Sequence, residues 1–488
     1  MATELRSDAT RQRLSGPPTS TRLIENAEIR LSEIIAALSV ALDITQGQPE
    51  GHCMRSAMIG MRLADDLRLS SAERSSLFYA LLLKDLGCSS NAAKITYLFG
   101  ADDHLVKRSA RVVDWRRTTA ALKHGWQQCA PGGSLLEKLL RMAALARSGP
   151  AGAKKIVETR CERGADIAHR LQFPETTSQA IRDLDEHWDG QGHPCGKKGE
   201  EISLLGRICC LAQTVEIFFT TYGLNSAFDV IRQRRGEWFD PQLVDALAPL
   251  KSDAAFWRAL LSDELATELG RYEPEDAVLM ADEACIDRVA EAFASVVDAK
   301  SPWTYQHSIR VAEISEGVCQ QFGCSPDVQR DVRRAALLHD IGKLGVSNLI
   351  LDKPGKPTEE EFEQIRRHPD YTQQILEQVQ AFEKLADVAS AHHERLDGRG
   401  YHRRLDGTEL PWIARVLAVA DICEAMSARR PYRDAMPWER IRQIMSNDAG
   451  AGIDPECFAA LERWLQQHDL QSRVESQLAE VERLISDL

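Results

Sequence analysis

From Ile413 to Met426 the chain is apolar on more than one face, which predicts a helix buried at the centre of a domain. Ala335 to Leu338 is the apolar end of another helix, one that carries His339 and Asp340 into an interior. Ser70-Ser71-Ala72-Glu73 and Thr358-Glu359-Glu360-Glu361 have the hydroxyl-to-carboxylate spacing of a capping box, so a helix is expected to start at each. No segment sustains period-two alternation between hairpin turn signals. The pattern therefore predicts an all-α fold. At the C-terminus Val474, Leu478, Val481, Ile485 and Leu488 recur at alternating four- and three-residue steps, which predicts a C-terminal helix over 466–488. That stripe suits a short coiled-coil seam between two copies, and so a homodimer. A final helix packed on its own domain suits it slightly better. Residues 1–21 are polar, carry Gly16-Pro17-Pro18, and read as a disordered tail.

The same pattern occurs twice. Asp43 and Asp298, His52 and His307, and Ser70 and Ser325 are all 255 positions apart, and that offset also lays Lys84-Asp85-Leu86-Gly87 on His339-Asp340-Ile341-Gly342. Further on the offset falls to 208, which implies about 47 extra residues in the first copy between Asn91 and Thr159. Asp185-Glu186 then falls on His393-Glu394, Asp189-Gly190-Gln191-Gly192 on Asp397-Gly398-Arg399-Gly400, and Gln213 on Asp421. Agreement at separated points under one offset marks a tandem duplication. The expected organisation is a first copy over 22–250, a connector over 251–282, a second copy over 283–465 and the C-terminal helix.

Composition narrows the class. The 488 residues are 43% hydrophobic and 27% charged, as in a globular chain of two or three domains. A net charge of -13 opposes a broad surface for a nucleic-acid polymer, though not a small phosphodiester held by a few arginines. The twelve cysteines are scattered without a CxxC pair, which points to a reduced, cytoplasmic setting rather than a disulfide framework. No apolar run approaches membrane-spanning length on this reading, so no membrane partner is expected.

The chemistry lies in the second copy. His307, His339, Asp340, His368, His392, His393 and Asp421 are the imidazoles and carboxylates that hold divalent iron, manganese or zinc. All fall in segments that read as helix. One ion would take His307, His339, Asp340 and Asp421. Asp340 would bridge to a second, completed by His368, His392 and His393. Two such ions activate a water and orient it toward phosphorus. Asp340 and Lys343 are thus the candidate catalytic residues, Lys343 meeting charge that builds on phosphoryl oxygens. The candidate substrate residues are Lys343, the loop Asp397, Gly398, Gly400 and Tyr401, and the forked donors Arg430 and Arg433.

His339-Asp340-Ile341-Gly342-Lys343, His368-Pro369, His392-His393-Glu394-Arg395-Leu396-Asp397-Gly398-Arg399-Gly400-Tyr401 and Arg430-Pro431-Tyr432-Arg433 resemble the HD-GYP phosphodiesterases, a branch of the HD-domain metal-dependent phosphohydrolases. The resemblance is close over Trp303 to Leu461 and weak over the first copy. It implies tandem HD-type helical bundles and two divalent metal ions, iron first and manganese second. It implies a cyclic dinucleotide substrate, cyclic di-GMP opened to pGpG or cut on to GMP. Two positions depart from the family. His402 replaces the proline of Gly-Tyr-Pro, which frees the loop; a surface histidine is the first expectation there, a further ligand or base the second. Trp303 stands where members with a third metal carry glutamate, so two metals are expected.

The first copy keeps His52 and Asp85 but has Lys84, Arg160, Leu184, Asp185 and Gln213 at the other ligand positions. Lys84 and Arg160 put cations where metals would sit, so this copy is expected to be metal-free and silent. Two alternatives stand beside cyclic di-GMP hydrolysis. One is an HD phosphohydrolase acting on another nucleotide, suggested by His402. The other is a nucleotide-responsive interaction module with negligible turnover.

Overall fold

The computed structural model describes residues 16–18, 22–24, 29–115, 117–431 and 433–468. The expected N-terminal tail and C-terminal helix fall almost entirely outside the described residues. Within them the fold is all-α, with isolated β-bridges and no strand.

Equal sequence patterns give equal elements at the two offsets. His52–Asp66 pairs with His307–Gln321, Ser71–Leu83 with Pro326–Leu338, and Leu204–Tyr222 with Trp412–Ser427. His52–Asp66 and His307–Gln321 both follow a left-handed residue, Gly51 (φ 84°) and Gln306 (φ 55°). Ser70 and Ser325 both cap the next helix, and the capping boxes read at Ser70 and Thr358 are complete. Trp412–Ser427 is the central helix that its apolar run predicts, with Val416, Leu417, Val419 and Ala420 fully buried.

One correction concerns the other central helix. Leu204–Tyr222 is long and apolar enough to cross a membrane by length and composition, contrary to the sequence expectation. It is mostly buried inside the protein. A helix surrounded by a protein core needs the same all-round apolar surface as one surrounded by lipid. The connector is also more than a link. It folds into Ala254–Ala259 and Leu265–Gly270, because Phe256, Trp257, Leu260 and Leu269 supply apolar anchors that enter the core.

The halves share one continuous apolar core. Leu31–Thr45 packs on His52–Asp66 of its own half and on Ile341–Gly345 and His368–Leu376 of the other, so nearly all its residues are buried. The extra residues of the first copy build a small core of their own from Ile95, Leu98, Phe99, Val106 and Cys129. None of the twelve cysteines is in a disulfide.

Candidate metal centre

The helical reading of the seven ligand positions needs correcting. Asp421 alone lies in the middle of a helix. His307 and His368 open helices, His339 and Asp340 form the turn that closes Pro326–Leu338, and His392-His393 follow Glu383–Ala389 in a turn. Chain ends converge on one point without stacking bulky helix flanks against each other, and glycine permits the contact. A Cβ on Gly342 would lie 2.0 Å from the His368 carbonyl oxygen, so the His-Asp turn and the His368 helix touch backbone to backbone.

The turn brings all seven side chains together. His307 Nε2 lies 3.3 Å from both Asp340 and Asp421, and His339 Nε2 3.3 Å from Asp340. On the other side of Asp340, His368 Nε2 is at 3.3 Å and His392 Nε2 at 3.7 Å. His393 Nδ1 stands 4.0 Å from Asp421. Asp340 thus has one oxygen toward each group of imidazoles, as a bridging carboxylate requires. The far nitrogens fix the rings. His339, His368 and His392 place Nδ1 at 2.6, 2.7 and 2.7 Å from the carbonyls of Ala336, Ile365 and Ala389, and His307 Nδ1 meets Glu424. Donating Nδ1–H outward leaves each Nε2 lone pair facing inward.

Electrostatics favour the metal-binding protonation state. Burial pushes the His368, His392 and His393 imidazoles down, His393 to about 3, so they are neutral. Burial alone would raise Asp340 and Asp421. Neighbouring imidazoles, with Lys343 beside Asp340, outweigh it and hold both well below the usual carboxylate range. His307 goes the other way. Burial opposes its charge, but Glu424, Asp340 and Asp421 outweigh burial and lift it. Its Nε2 must shed a proton before it can ligate.

Divalent ions fit this donor set. His307 Nε2, His339 Nε2 and Asp340 Oδ1 are buried polar atoms with no hydrogen-bond partner. Such atoms are costly unless something else satisfies them. Metal ions at these atoms would do so.

Beside the centre lies a cleft of about 800 Å³ lined by Arg366, Asp370, Gly398, Gly400, Tyr401 and His402 among others. The Tyr401 ring lies 4.7 Å from that of His393, which joins the cleft to the metal ligands. A Cβ on Gly400 would meet Glu394 Cα at 2.6 Å, so only glycine lets the loop fold back on the histidine pair. Gly398 takes φ +67°. Asp397 accepts the Arg399 N–H at 3.0 Å and pairs with Arg395, shaping the loop. His402 sits at φ +91°, a backbone proline cannot adopt, and its Nε2 meets Gln373 at 2.7 Å. It is therefore committed to the loop and is not one of the converging ligands.

Lys343 donates to Asp340 at the metal centre. Arg430 and Arg433 are placed differently. Arg430 donates to the Trp303 carbonyl at 2.9 Å and lies 3.4 Å from Glu424. Arg433 donates to the Met426 carbonyl at 3.2 Å and to that of Ala425. These contacts tie the RPYR segment to the end of the helix that carries Asp421. Sequence reasoning missed Glu424 and Arg310, which together orient His307, Arg310 Nε donating to Glu424 at 2.8 Å. The signal was available, since His52, Arg55 and Glu216 repeat the trio at the same offsets, with Arg55 Nε 2.7 Å from Glu216.

The first half keeps this frame and fills its centre with cations. Lys84 Nζ is 2.7 Å from His52 Nε2 and pairs with Asp85. Arg111, from the extra segment, lies 3.5 Å from Asp85 and 3.4 Å from Asp185, which Arg160 also contacts. Gly87 approaches the Arg160 carbonyl as Gly342 approaches that of His368. The metal-type clusters among the described residues are three subsets of the second-half ligands and the Asp102-Asp103-His104 trio. That trio already has Lys107 Nζ 2.9 Å from Asp103. Lys84→Met leaves Asp85 buried with its nearest cation removed. It should cost about 3–5 kcal/mol, or roughly 3–5 °C in Tm for a chain of this length with one shared core, by calorimetry. An unchanged Tm would show that the ammonium does not hold this half together.

An all-α frame with a buried His-Asp turn, converging imidazoles and a carboxylate able to bridge defines a metal-dependent phosphohydrolase centre. The profile of the HD domain family matches residues 142–243 and 291–457. This chain belongs to the HD domain family, and within it to the HD-GYP branch, with a degenerate first copy. It is 43% identical over 435 residues to "3'3'-cGAMP-specific phosphodiesterase 3" of Vibrio cholerae, covering 89% of this chain and 94% of that protein. A cyclic di-GMP phosphodiesterase of Thermotoga maritima is 37% identical over 159 residues, 32% of this chain and 43% of its own length. The crystal structure of a cyclic GMP-AMP specific phosphodiesterase from V. cholerae superposes with a TM-score of 0.63 at 39% identity, over 90% of this chain and 98% of that one. The chain is an HD-family phosphodiesterase.

Proposed function

We propose that this phosphodiesterase opens 3'3'-cGAMP to a linear dinucleotide, in the half spanning 283–465. The observation that carries this is coverage. The cGAMP-specific relative matches both halves almost end to end, whereas the T. maritima cyclic di-GMP enzyme matches only a span of 159 residues. Cyclic di-GMP is the second reading, because the motifs of the second half are those shared with its phosphodiesterases.

Two divalent ions held by His307, His339, Asp340, His368, His392, His393 and Asp421 would supply an activated water at neutral pH and polarise the phosphoryl oxygens. Iron is the first expectation for these ions and manganese the second. Asp340 keeps both ligand groups in register. Lys343, half-buried on Asp340, places an ammonium where charge develops on the phosphoryl group. Tyr401 presents an aromatic face to a base, with Gly398 and Gly400 setting the loop. Arg430 and Arg433 act on substrate only with donors beyond those holding the Asp421 helix. The first half, 22–250, is catalytically silent because lysine and arginine occupy its centre. Free cysteines throughout support a reducing, cytoplasmic location.

The test is hydrolysis of 3'3'-cGAMP and cyclic di-GMP side by side by protein loaded with iron or manganese, read by chromatography. The expected result is kcat/KM at least about tenfold higher for 3'3'-cGAMP, a difference of roughly 1.4 kcal/mol. Preference for cyclic di-GMP overturns the specificity. Turnover of neither overturns the substrate class.

A further inference from the structure

A buried charged cluster ties the silent half to the catalytic one. Asp103, in the extra segment of the first copy, is fully buried. One carboxylate oxygen accepts the Asn348 backbone N–H at 3.0 Å, across the boundary between halves. The other accepts Lys107 Nζ at 2.9 Å and Lys300 Nζ at 3.5 Å. Asn348 Nδ2 in turn donates to the Lys300 carbonyl at 2.7 Å and to Asp352 at 2.6 Å. Lys107 also donates to the Thr45 carbonyl at 3.0 Å, at the end of the Leu31–Thr45 helix that packs on Ile341–Gly345. Ile44 lies 3.6 Å from where a Cβ on Gly345 would stand.

The cluster grips the segment that carries the catalytic lysine. Ile341–Gly345 is a single short turn, fixed at one end by Asp340 in the metal centre. Its other end runs through Val346 and Ser347 to Asn348, whose N–H is held by Asp103. Lys300, held in the same cluster, lies seven residues before His307. The residues are also particular to this arrangement. At the duplication offset Thr45 stands at the position of Lys300 and Ala93 at that of Asn348. The catalytic copy alone carries the lysine and asparagine, and the silent copy's extra segment supplies the acid. A buried carboxylate between two ammonium groups gains little stability over apolar packing. A directional acceptor at a chain exit does fix where that chain goes.

We infer that Asp103 of the silent half is a positioning residue for catalysis, holding the Ile341–Asn348 segment so that Lys343 reaches the phosphoryl group. This rests on the proposed phosphodiester chemistry and gives the silent half a part in it. Removing the grip loosens the turn, and a displacement of about 1 Å at a catalytic group can cost roughly 10²-fold in rate.

The test uses the full chain loaded with manganese, with 3'3'-cGAMP and bis(p-nitrophenyl) phosphate as substrates. Asp103→Ala should lower kcat about tenfold or more, with metal content intact and KM little changed. Asp103→Asn, which can still accept the Asn348 N–H, should recover most of the loss. In a Lys343→Ala background, Asp103→Ala should cost less than about twofold more, because it acts through that lysine. Losses that multiply, a loss of metal, or an unchanged kcat overturn the inference. A wild type inactive on both substrates would overturn the chemistry instead. Hydrogen exchange then decides the inference without turnover. Amides of 341–348 should exchange at least about tenfold faster in Asp103→Ala while those of 368–376 do not change. Equal protection overturns it. Should Asp103→Ala fail to fold, Asn348→Pro, which removes the N–H that Asp103 accepts at the first position of the Asn348–Leu351 helix, takes its place, with exchange read over 341–347.

Discussion

Asp340→Asn should strip the protein of its metal and lower turnover on the order of 10³-fold or more, with little loss of fold. The substitution keeps the volume of the side chain and removes one negative charge. That charge faces both ligand groups, with His307 and His339 on one oxygen and His368 and His392 on the other. Asn cannot bridge two cations, and its amide would turn a donor toward imidazole lone pairs. Metal analysis and initial rates on the purified variant check the prediction. Retained metal with retained turnover would remove Asp340 from the mechanism. Retained nucleotide binding and cellular phenotype without turnover would instead favour the interaction-module reading over an enzyme.

Gly342→Ala should be nearly as damaging by a different route, and Gly87→Ala provides its control. Each glycine packs backbone to backbone, with a Cβ landing 2.0 Å from the His368 carbonyl oxygen in one half and 1.9 Å from that of Arg160 in the other. Neither contact can be relieved by swinging a side chain, so either substitution pushes apart two chain segments. The stability cost should be similar, at least about 1–3 kcal/mol in each half. Only Gly342→Ala moves His368 away from Asp340, so only it should also lose metal affinity and roughly 10²-fold in kcat. Calorimetry and metal titration on the two variants separate packing from chemistry. Equal losses of kcat would mean that the halves are coupled more tightly than their shared core requires.

Much of the site was legible because its residue types are unusual and their order is fixed. Seven imidazoles and carboxylates at motif spacing have few uses besides a metal centre, and lysine and arginine at the matching positions of the first copy are what make a silent half the expectation. The duplication was equally plain, since an offset needs only identities. Roles that depend on direction were not legible. Arg430 and Arg433 read as phosphate ligands, yet the structure folds them onto carbonyls at the end of the Asp421 helix. His402 read first as a surface histidine and second as a ligand, and it turns to Gln373. Helical periodicity reports which face is buried and not where a helix stops, so the ligands were placed inside helices when most sit at their ends.

By itself the sequence determined the all-α class, the family and the two copies, and it supplied the candidate ligands and the expectation of a silent first half. Each depends on residue identity and spacing, which a chain carries whether or not it is folded. The tertiary structure decided which donors face the centre, what Glu424 and Arg310 are for, and how the halves meet. The grip of Asp103 on Asn348 joins positions 245 residues apart. No local pattern encodes such a contact, because it exists only once the shared core has brought the two copies together.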